Sequence, residues 1–283
     1  LQDIFPGLST YSDVMECGLS AANPVVHPAG VLMNAGRIEY SHGEFYFYEE
    51  GVSKSVAEVI MAVDKERLGR EVVAMRVAKE LPDGGYVNLG IGIPTLVSSF
   101  VPDGSTVFYH SESGILNCGP LADEGEEDID LINAGGQFLQ AVPGMSFFSS
   151  VEGFAMIRGG HVDVTVLGAH QVSSKGDLAN WMLPERGVGN IGGAMDLAAG
   201  AKRVIVAMEH TDRYDNVKIV EECDYPITGK ACVSLIVTDL AVMQPTVDGL
   251  ILLEIAPGWS VEEVQSVTGA QFIIPPDLKE YEL

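Results

Sequence analysis

Cationic side chains are scarce in this sequence. Its 283 residues include 16 lysines and arginines against 40 aspartates and glutamates, which gives a formal net charge of −24. A field of this sign repels nucleic acids and anionic membrane surfaces, so we expect neither as a partner. The sequence also lacks an uninterrupted apolar run of about 18 residues, which argues against a transmembrane helix.

Cysteine is equally sparse, and it is not arranged for metal binding or redox chemistry. The cysteines are Cys17, Cys118, Cys223 and Cys232, without a Cys-x-x-Cys pair. The six histidines do not cluster at ligand spacing and form no His-Glu-x-x-His motif, so we expect no metal. Reduced thiols and the absence of a cationic, signal-like start predict a cytoplasmic protein. The first residue is Leu1 and not methionine, which suggests a trimmed chain or a fragment.

Apolar periodicity predicts an α/β protein. A helix is predicted over residues 55–81, with Ser55 and Glu58 as a capping box and Pro82 after its end. Beyond it, apolar segments of strand and helix type alternate along the chain. Strands are predicted at 86–89, 106–110, 163–167, 204–208, 231–237, 241–244 and 250–255, and helices at 94–100, 195–200 and 261–266. This order predicts a largely parallel sheet covered by helices.

One glutamate stands on a glycine-containing turn directly after a predicted strand. The segment 105–110 is rich in β-branched and aromatic residues, and Ser111-Glu112-Ser113-Gly114 follows it. Open α/β folds place reacting groups at the carboxyl ends of their strands. Glu112 is therefore a candidate nucleophile, while a surface turn that happens to carry a glutamate is the alternative. Cys118 is a second candidate nucleophile, or a small buried side chain.

Four stretches of the sequence together resemble a known family. They are 86–95 (YVNLGIGIPT), the turn 111–114, 154–161 (FAMIRGGH) and 176–197, which runs from GDLANWM to GGAMDL. In this order they resemble the β subunit of the class I CoA-transferases, most closely the 3-oxoacid (succinyl-CoA:acetoacetate) enzymes of ketone body metabolism. The family's turn usually reads Ser-Glu-Asn-Gly, so Ser113 is a departure from it.

The resemblance implies a covalent mechanism. CoA would move between an acyl-CoA and a free 3-oxo carboxylic acid through a glutamyl-CoA thioester on Glu112. Gly192, Gly193 and Ala194 would form the oxyanion and CoA loop, and Gly90 and Gly92 the wall along which substrate approaches. Tight strand-to-helix turns are the alternative for both loops. Coenzyme A would be a substrate and no cofactor is expected, but an α subunit is expected as partner in a hetero-oligomer.

The first 69 residues follow a different pattern. Segments 23–40 and 45–51 resemble the C-terminal domain of the octopine/nopaline (opine) dehydrogenases, and His27 matches that family's acid/base histidine. The dinucleotide loop of such enzymes is missing, because Thr95 follows Gly90 and Gly92 where a third glycine or alanine is required. We therefore expect a mostly helical dehydrogenase-like fragment at 1–69 and a transferase domain at 70–283. We expect no catalytic role for His27.

Three other functions remain open from the sequence. A related acyl-CoA hydrolase or lyase subunit could use the same glutamate. The N-terminal piece could carry an opine-type, NAD-dependent activity on a non-catalytic scaffold. A binding module without chemistry is the third alternative. The acidic segment 123–128 is either a cation site or a solvated loop, and it lacks the alternating ligand spacing of a calcium loop.

Overall fold

The computed structural model describes residues 65–102 and 104–282, together with the backbone of three earlier strands. These strands are β1 (Arg37–Ser41), β2 (Glu44–Glu49) and β3 (Val52–Ser55). The chain divides into two compact units, Leu1–Glu66 and Arg67–Leu283.

The described part of the N-terminal unit is an antiparallel sheet. β1 pairs with β2 and β2 with β3, with Ile38 opposite Phe47 and Tyr40 opposite Phe45. The mostly helical character expected for residues 1–69 is therefore wrong for the described residues of this segment. Alternating aromatic residues favour a pleated strand over a helix, which accounts for the difference. His27 lies outside the described residues.

The continuous helix predicted over 55–81 is not observed among the described residues of this stretch. Ser55 is the last residue of β3, and helix α1 spans Arg70–Ala78. Gly69 is extended at the start of α1, and the preceding residue, Leu68, donates its N–H to the carbonyl of Asp239 at 3.1 Å. A tertiary hydrogen bond thus holds the chain before α1 out of helical geometry, although its apolar spacing resembles that of a helix.

The larger unit contains fourteen strands and four further α-helices among its described residues. The strands are β4 (Gly85–Leu89), β5 (Val107–Ser111), β6 (Ile115–Leu116), β7 (Ser146–Phe147), β8 (Val164–Leu167), β9 (Gln171–Ser173), β10 (Leu178–Ala179), β11 (Arg203–Ala207), β12 (Ile219–Val220), β13 (Val233–Val237), β14 (Ala241–Thr246), β15 (Gly249–Ile255), β16 (Phe272–Ile273) and β17 (Lys279–Glu280). The helices are α2 (Ile93–Leu96), α3 (Ser150–Arg158), α4 (Ala194–Gly200) and α5 (Val261–Ser266), with 3₁₀ turns at Val97–Phe100 and Pro184–Arg186.

A mixed sheet of eleven strands organises this unit. Its centre is parallel, in the order β5-β4-β8-β11-β13. Antiparallel strands extend it on both sides, β6 and β7 beyond β5, and β14 and β15 beyond β13. A small second sheet has the order β10-β9-β12. The prediction of an α/β fold around a largely parallel sheet is confirmed.

Helices cover both faces of the central sheet. One core packs Val73 and Val77 of α1 with Ile93 of α2 against the sheet, and the other packs Ile157 of α3 with Leu197 of α4 against the opposite face. Each of these side chains is at most 6% exposed. Burying an aliphatic side chain of this size contributes about 1.5–3 kcal/mol, so the two cores fix the sheet and the turns at its edge.

The order of the parallel strands locates a crevice. Along the chain the five strands are β4, β5, β8, β11 and β13, yet β4 lies between β5 and β8 in space. The strand order therefore reverses at β4, which opens a crevice outside the carboxyl ends of these strands. In the part of the chain that the structure describes, no helix is long and apolar enough to cross a membrane.

Candidate active site

Glu112 lies at this crevice, in the three-residue loop of a β-hairpin. β5 ends at Ser111, β6 begins at Ile115, and these two residues pair across the hairpin. Gly114 adopts φ 118°, a conformation that strongly favours glycine, and a Cβ there would collide with the carbonyl oxygen of Phe148. The half-buried Glu112 side chain is thus held on a turn that tolerates little change.

Asn88 contacts the Glu112 carboxylate from the neighbouring strand. Asn88 Nδ2 donates a hydrogen bond to Glu112 Oε2 at 2.9 Å, and the residue is 1% exposed. Its position follows from register, because Asn88 of β4 pairs with His110 of β5 two residues before Glu112. No ion pair of Glu112 occurs among the described residues, so this amide is a neutral partner for the carboxylate.

His110 lies directly behind Asn88 and Glu112. It is 4% exposed, its Nδ1 is 3.2 Å from Asn88 Nδ2, and its ring stacks on Phe148 with 6.0 Å between centroids. Burial lowers the pKa of His110, while the charge of Glu112 opposes that shift. His110 is therefore a neutral imidazole near neutral pH.

The predicted oxyanion loop reaches Glu112 through one of its three residues. A Cβ on Gly193 would lie 3.4 Å from Glu112 Oε1 and 3.4 Å from the ring of Phe154, so Gly193 lies against the second carboxylate oxygen. Gly192 is exposed, with open space where a Cβ would be, and Ala194 is the first residue of α4. Gly193 immediately precedes the first turn of that helix.

Gly90 and Gly92 end up at the same edge of the sheet as Glu112. The parallel register that pairs Asn88 with His110 brings Gly90 level with Glu112. Gly90 packs against β8, where a Cβ would lie 3.1 Å from the carbonyl oxygen of Val166. Gly92 has φ 95° and starts α2, with no atom within 4 Å of a Cβ position. Close backbone packing thus explains the glycine at position 90, and the turn geometry explains the glycine at position 92. Of the two, only Gly92 faces open space.

Ser113, the departure from the family's turn, is exposed and bonded locally. Its Oγ lies 2.7 Å from Oγ of Ser111, so the hydroxyl pair closes the base of the hairpin loop. Position 113 therefore affects the loop through Ser111 and does not contact the Glu112 carboxylate by a hydrogen bond in the described structure.

The two alternatives raised for neighbouring residues find little support. Burial raises the pKa of the Cys118 thiol to about 11, which leaves it protonated and a poor nucleophile near pH 7. Residues 123–128 are an exposed loop. Among the described residues, no group of three His, Cys, Asp or Glu side chains could hold a metal ion.

Sequence reasoning missed the residues that support Glu112 from behind. Asn88 and His110 lie in apolar strand segments, and the sequence patterns assign neither of them a role. Gly153 of α3 was also missed, although a Cβ there would lie 3.3 Å from the backbone oxygen of Glu112. The available signals were a polar amide in an otherwise apolar strand and a glycine inside a helix, two local departures from propensity.

Comparison with known proteins shows which family the chain is similar to. The family described as coenzyme A transferase matches residues 70–266. The B subunit of the succinyl-CoA:3-ketoacid coenzyme A transferase of Helicobacter pylori is 49% identical over 203 residues, which is 72% of this chain and 98% of that protein. The B subunit of the 3-oxoadipate CoA-transferase of Pseudomonas putida is 50% identical over 209 residues, covering 74% of this chain and 98% of that protein.

Two further similarities concern the fold and the N-terminal segment. The crystal structure of an acyl-CoA transferase from Escherichia coli O157:H7 superposes with a TM-score of 0.60 at 21% identity, covering 77% of this chain and 44% of that one. The family described as NAD/NADP octopine/nopaline dehydrogenase, alpha-helical domain, matches residues 10–86. Because the transferase family accounts for most of the chain, including the turn that carries Glu112, the chain belongs to the coenzyme A transferase family.

Proposed function

We propose that this chain is the B-type (β) subunit of a 3-oxoacid CoA-transferase, in which Glu112 carries CoA between an acyl-CoA and a free carboxylic acid. One observation carries the proposal. The Glu112 carboxylate lies half-buried at the switch-point crevice, with Asn88 bonded to one oxygen and Gly193 against the other. The relatives named for 3-ketoacid and 3-oxoadipate transfer support this substrate class.

A carboxylate nucleophile suits a transfer that must conserve the thioester. Glu112 attacks the acyl carbonyl and expels CoA as a thiolate, which leaves an acyl-glutamyl anhydride. The thiolate then attacks the glutamyl carbonyl, releases the first carboxylic acid and forms a glutamyl-CoA thioester. The acceptor carboxylate attacks this thioester and the steps run in reverse, giving ping-pong kinetics. A carboxylate without a cationic partner retains its nucleophilicity, which fits the neutral contact with Asn88.

Each of these steps passes through a tetrahedral oxyanion. Gly193 and the adjoining backbone of Gly192 and Ala194 are our candidates for the donors, because a Cβ added at Gly193 would lie 3.4 Å from Glu112 Oε1. Loss of one such donor typically costs about 10²–10³ in rate. We assign Gly92 to the wall along which substrate approaches, since open space lies beside it, and Gly90 to the turn that supports this wall. Coenzyme A is a substrate in this scheme, and no cofactor takes part.

A partner subunit completes the site in our proposal. The bacterial relatives are named as B subunits, and a chain with net charge −24 is a poor receptor for the CoA phosphates by itself. Large apolar side chains are exposed beside the site, with Ile91 75%, Phe147 66% and Ile191 73% accessible. Such a rim is typical of a protein interface. We assign these residues to the contact with an α subunit in a hetero-oligomer.

The domain boundaries and compartment are also proposals. We assign 70–283 to transfer and 1–69 to a dehydrogenase-like segment without NAD-dependent activity. The thiols of Cys118, Cys223 and Cys232 are unbridged, in keeping with a reducing, cytoplasmic setting. Deletion of residues 1–65 should leave transfer within a fewfold of the intact chain. NAD(P)H-dependent reduction of a 2-oxo acid with an amino acid, abolished by His27→Ala, would contradict this assignment.

The central experiment replaces Glu112 in the complex with the α subunit. Glu112→Gln should abolish transfer from succinyl-CoA to acetoacetate, because an amide cannot form the anhydride. Borohydride added with acyl-CoA should inactivate the intact complex by reducing the thioester, and mass spectrometry should locate the change at Glu112. Glu126→Gln, at an exposed position of the acidic loop, is the matched control and should retain full activity. Full activity of Glu112→Gln would refute the proposal, and steady release of CoA without an acceptor would favour the hydrolase.

A further inference from the structure

His110 has an unusual set of neighbours for a buried histidine. Its Nδ1 lies 3.2 Å from Asn88 Nδ2, and its own backbone carbonyl accepts from the same amide nitrogen at 3.1 Å. Its Nε2 is buried and has no partner with strict hydrogen-bond geometry in the described structure, although the backbone of Gly153 interacts with the ring and favours its charged form. His110 is also one of the residues that line a cavity of about 370 Å³, together with Tyr86, Met156 and Lys202.

The contacts of Asn88 determine which nitrogen of His110 carries the proton. An amide nitrogen offers two hydrogens and no acceptor. One hydrogen is directed to Glu112 Oε2, and the other faces His110, where it meets both the carbonyl oxygen and Nδ1. A proton on Nδ1 would oppose that amide hydrogen, so Nδ1 presents its lone pair. The neutral ring therefore carries its proton on Nε2.

A neutral ring also suits the carboxylate beside it. An imidazolium at this position would act as a counter-ion to Glu112 and weaken its attack on a thioester. Burial disfavours that charged form more strongly than the charge of Glu112 and the backbone of Gly153 favour it, so the pKa of His110 is lowered. His110 thus supplies an acceptor for Asn88 without supplying a charge to Glu112.

We propose that His110 is a positioning residue, whose Nδ1 lone pair and backbone carbonyl fix the Asn88 amide so that it holds Glu112 in the orientation for attack. This inference rests on the proposed role of Glu112. The stacking of His110 on Phe148 adds a second connection, because the N–H of Phe148 donates to the carbonyl of Gly114 in the same hairpin loop. The imidazole of His110 therefore contacts Asn88 of β4 and Phe148, and Phe148 is bonded to the hairpin loop that carries Glu112.

The test compares two substitutions in the complex with the α subunit. His110→Leu fills the space but removes the acceptor, whereas His110→Asn returns an oxygen near the position of Nδ1. His110→Leu should slow formation of the Glu112 thioester by about tenfold, with KM for acyl-CoA within about twofold, because one ordinary hydrogen bond is lost. His110→Asn should stay within about threefold of the parent. Tyr109→Phe is the control, since it removes a neighbouring buried hydroxyl that has no hydrogen-bond partner among the described residues.

A double-substitution cycle separates positioning from simple packing. If His110 acts through Asn88, His110→Leu should cause little further loss in an Asn88→Ala background. A full tenfold loss in that background, or equal slowing by His110→Asn and His110→Leu, would overturn the proposal. Unchanged thioester formation in a folded His110→Leu complex would overturn it too. That result together with an inactive Glu112→Gln complex would leave the proposed function intact.

The tautomer of His110 can be observed directly in the parent protein. In the parent complex with ¹⁵N-labelled histidine, the His110 resonances should show a bare Nδ1 and a protonated Nε2 at pH 7, with the assignment taken from the peak missing in His110→Asn. Protonation at Nδ1, or of both nitrogens, would contradict the inference even if His110→Leu failed to fold.

Discussion

The side-chain amide of Asn88 lies 2.9 Å from Oε2 of Glu112 and joins two neighbouring parallel strands at their carboxyl ends. The amide is buried, while the carboxylate is half-buried at the crevice. It therefore orients one oxygen of Glu112 and leaves the other beside Gly193. This relationship makes the site sensitive to the charge at position 88.

The loss of transfer activity on substitution of Asn88 should depend on the charge of the new side chain. Asn88→Ala removes one donor and should lower kcat by about tenfold, the value of one hydrogen bond. Asn88→Asp places a second carboxylate about 3 Å from Glu112, and repulsion between like charges should lower kcat by at least about 10²-fold. Steady-state transfer rates of the two variants in the complex with the α subunit provide the measurement. An Asp variant as active as the Ala variant would show that the amide's neutrality does not matter.

Side chains at Gly193 and Gly192 should have different effects. A Cβ at 193 would touch Oε1 of Glu112 and the ring of Phe154, but at 192 it would meet nothing within 4 Å. Gly193→Val should reduce transfer by at least about 10²-fold, because the branches occupy the space that an acylated Glu112 requires. Gly192→Val should stay within about fivefold on the same steric ground. Gly193 has φ −71°, so its substitution should not strain the backbone, and urea unfolding of both variants checks this.

Cys118 should be dispensable for transfer. Burial raises the pKa of its thiol to about 11, so very little thiolate exists near pH 7.5. Cys118→Ala should keep kcat within about threefold, and iodoacetamide should modify Cys118 slowly in the native protein but rapidly in urea. Peptide mass spectrometry of both samples makes the comparison. Rapid native alkylation together with loss of transfer would restore Cys118 as a candidate nucleophile.

His210 should make stability depend on pH. It is fully buried between Thr238 and Thr268, with ring-nitrogen contacts of 2.9 and 2.8 Å, and burial lowers its pKa to about 3. Because the unfolded histidine takes up a proton near pH 6.5 and the folded one does not, stability is fully present above pH 6.5 and falls as pH decreases. Between pH 6.5 and 5 the loss should be about 2 kcal/mol.

The contribution of His210 can be isolated by difference. Urea unfolding at pH 7, 6 and 5 should show the decrease in the parent chain and a shallower one in His210→Gln. The variant should be less stable than the parent at pH 7, since the contacts with two threonines are disturbed. A parallel decrease in both proteins would assign the effect to other groups.

Local patterns in the sequence determined much of the fold. Strands predicted at 86–89, 106–110 and 204–208 coincide within about one residue with β4, β5 and β11, because β-branched and aromatic runs bounded by turn residues are strong signals. The final helix, α5, has the predicted bounds of 261–266. The turn containing Glu112 was equally visible, since its glycine marks the change of direction.

Longer predictions failed where tertiary contacts prevailed. Residues 55–81 have helical spacing, yet Ser55 belongs to a strand and only Arg70–Ala78 is helical among the described residues of this stretch. Pairing of β3 with β2 and the bond from Leu68 to Asp239 outweigh a modest helical preference. Periodicity alone carries no information about such distant partners.

The sequence by itself determined the strands, the turn and the family motifs, because each depends on residues close together in the chain. Only the tertiary structure decided which side chains surround Glu112. Asn88 is 24 residues away along the chain and Gly193 is 81 residues away, yet Asn88 donates a hydrogen bond to the carboxylate and a Cβ on Gly193 would touch it. Their meeting depends on the order and register of β4, β5 and β8 and on the packing of α3 and α4 against that sheet. These are cooperative properties of the folded core, and no local segment encodes them.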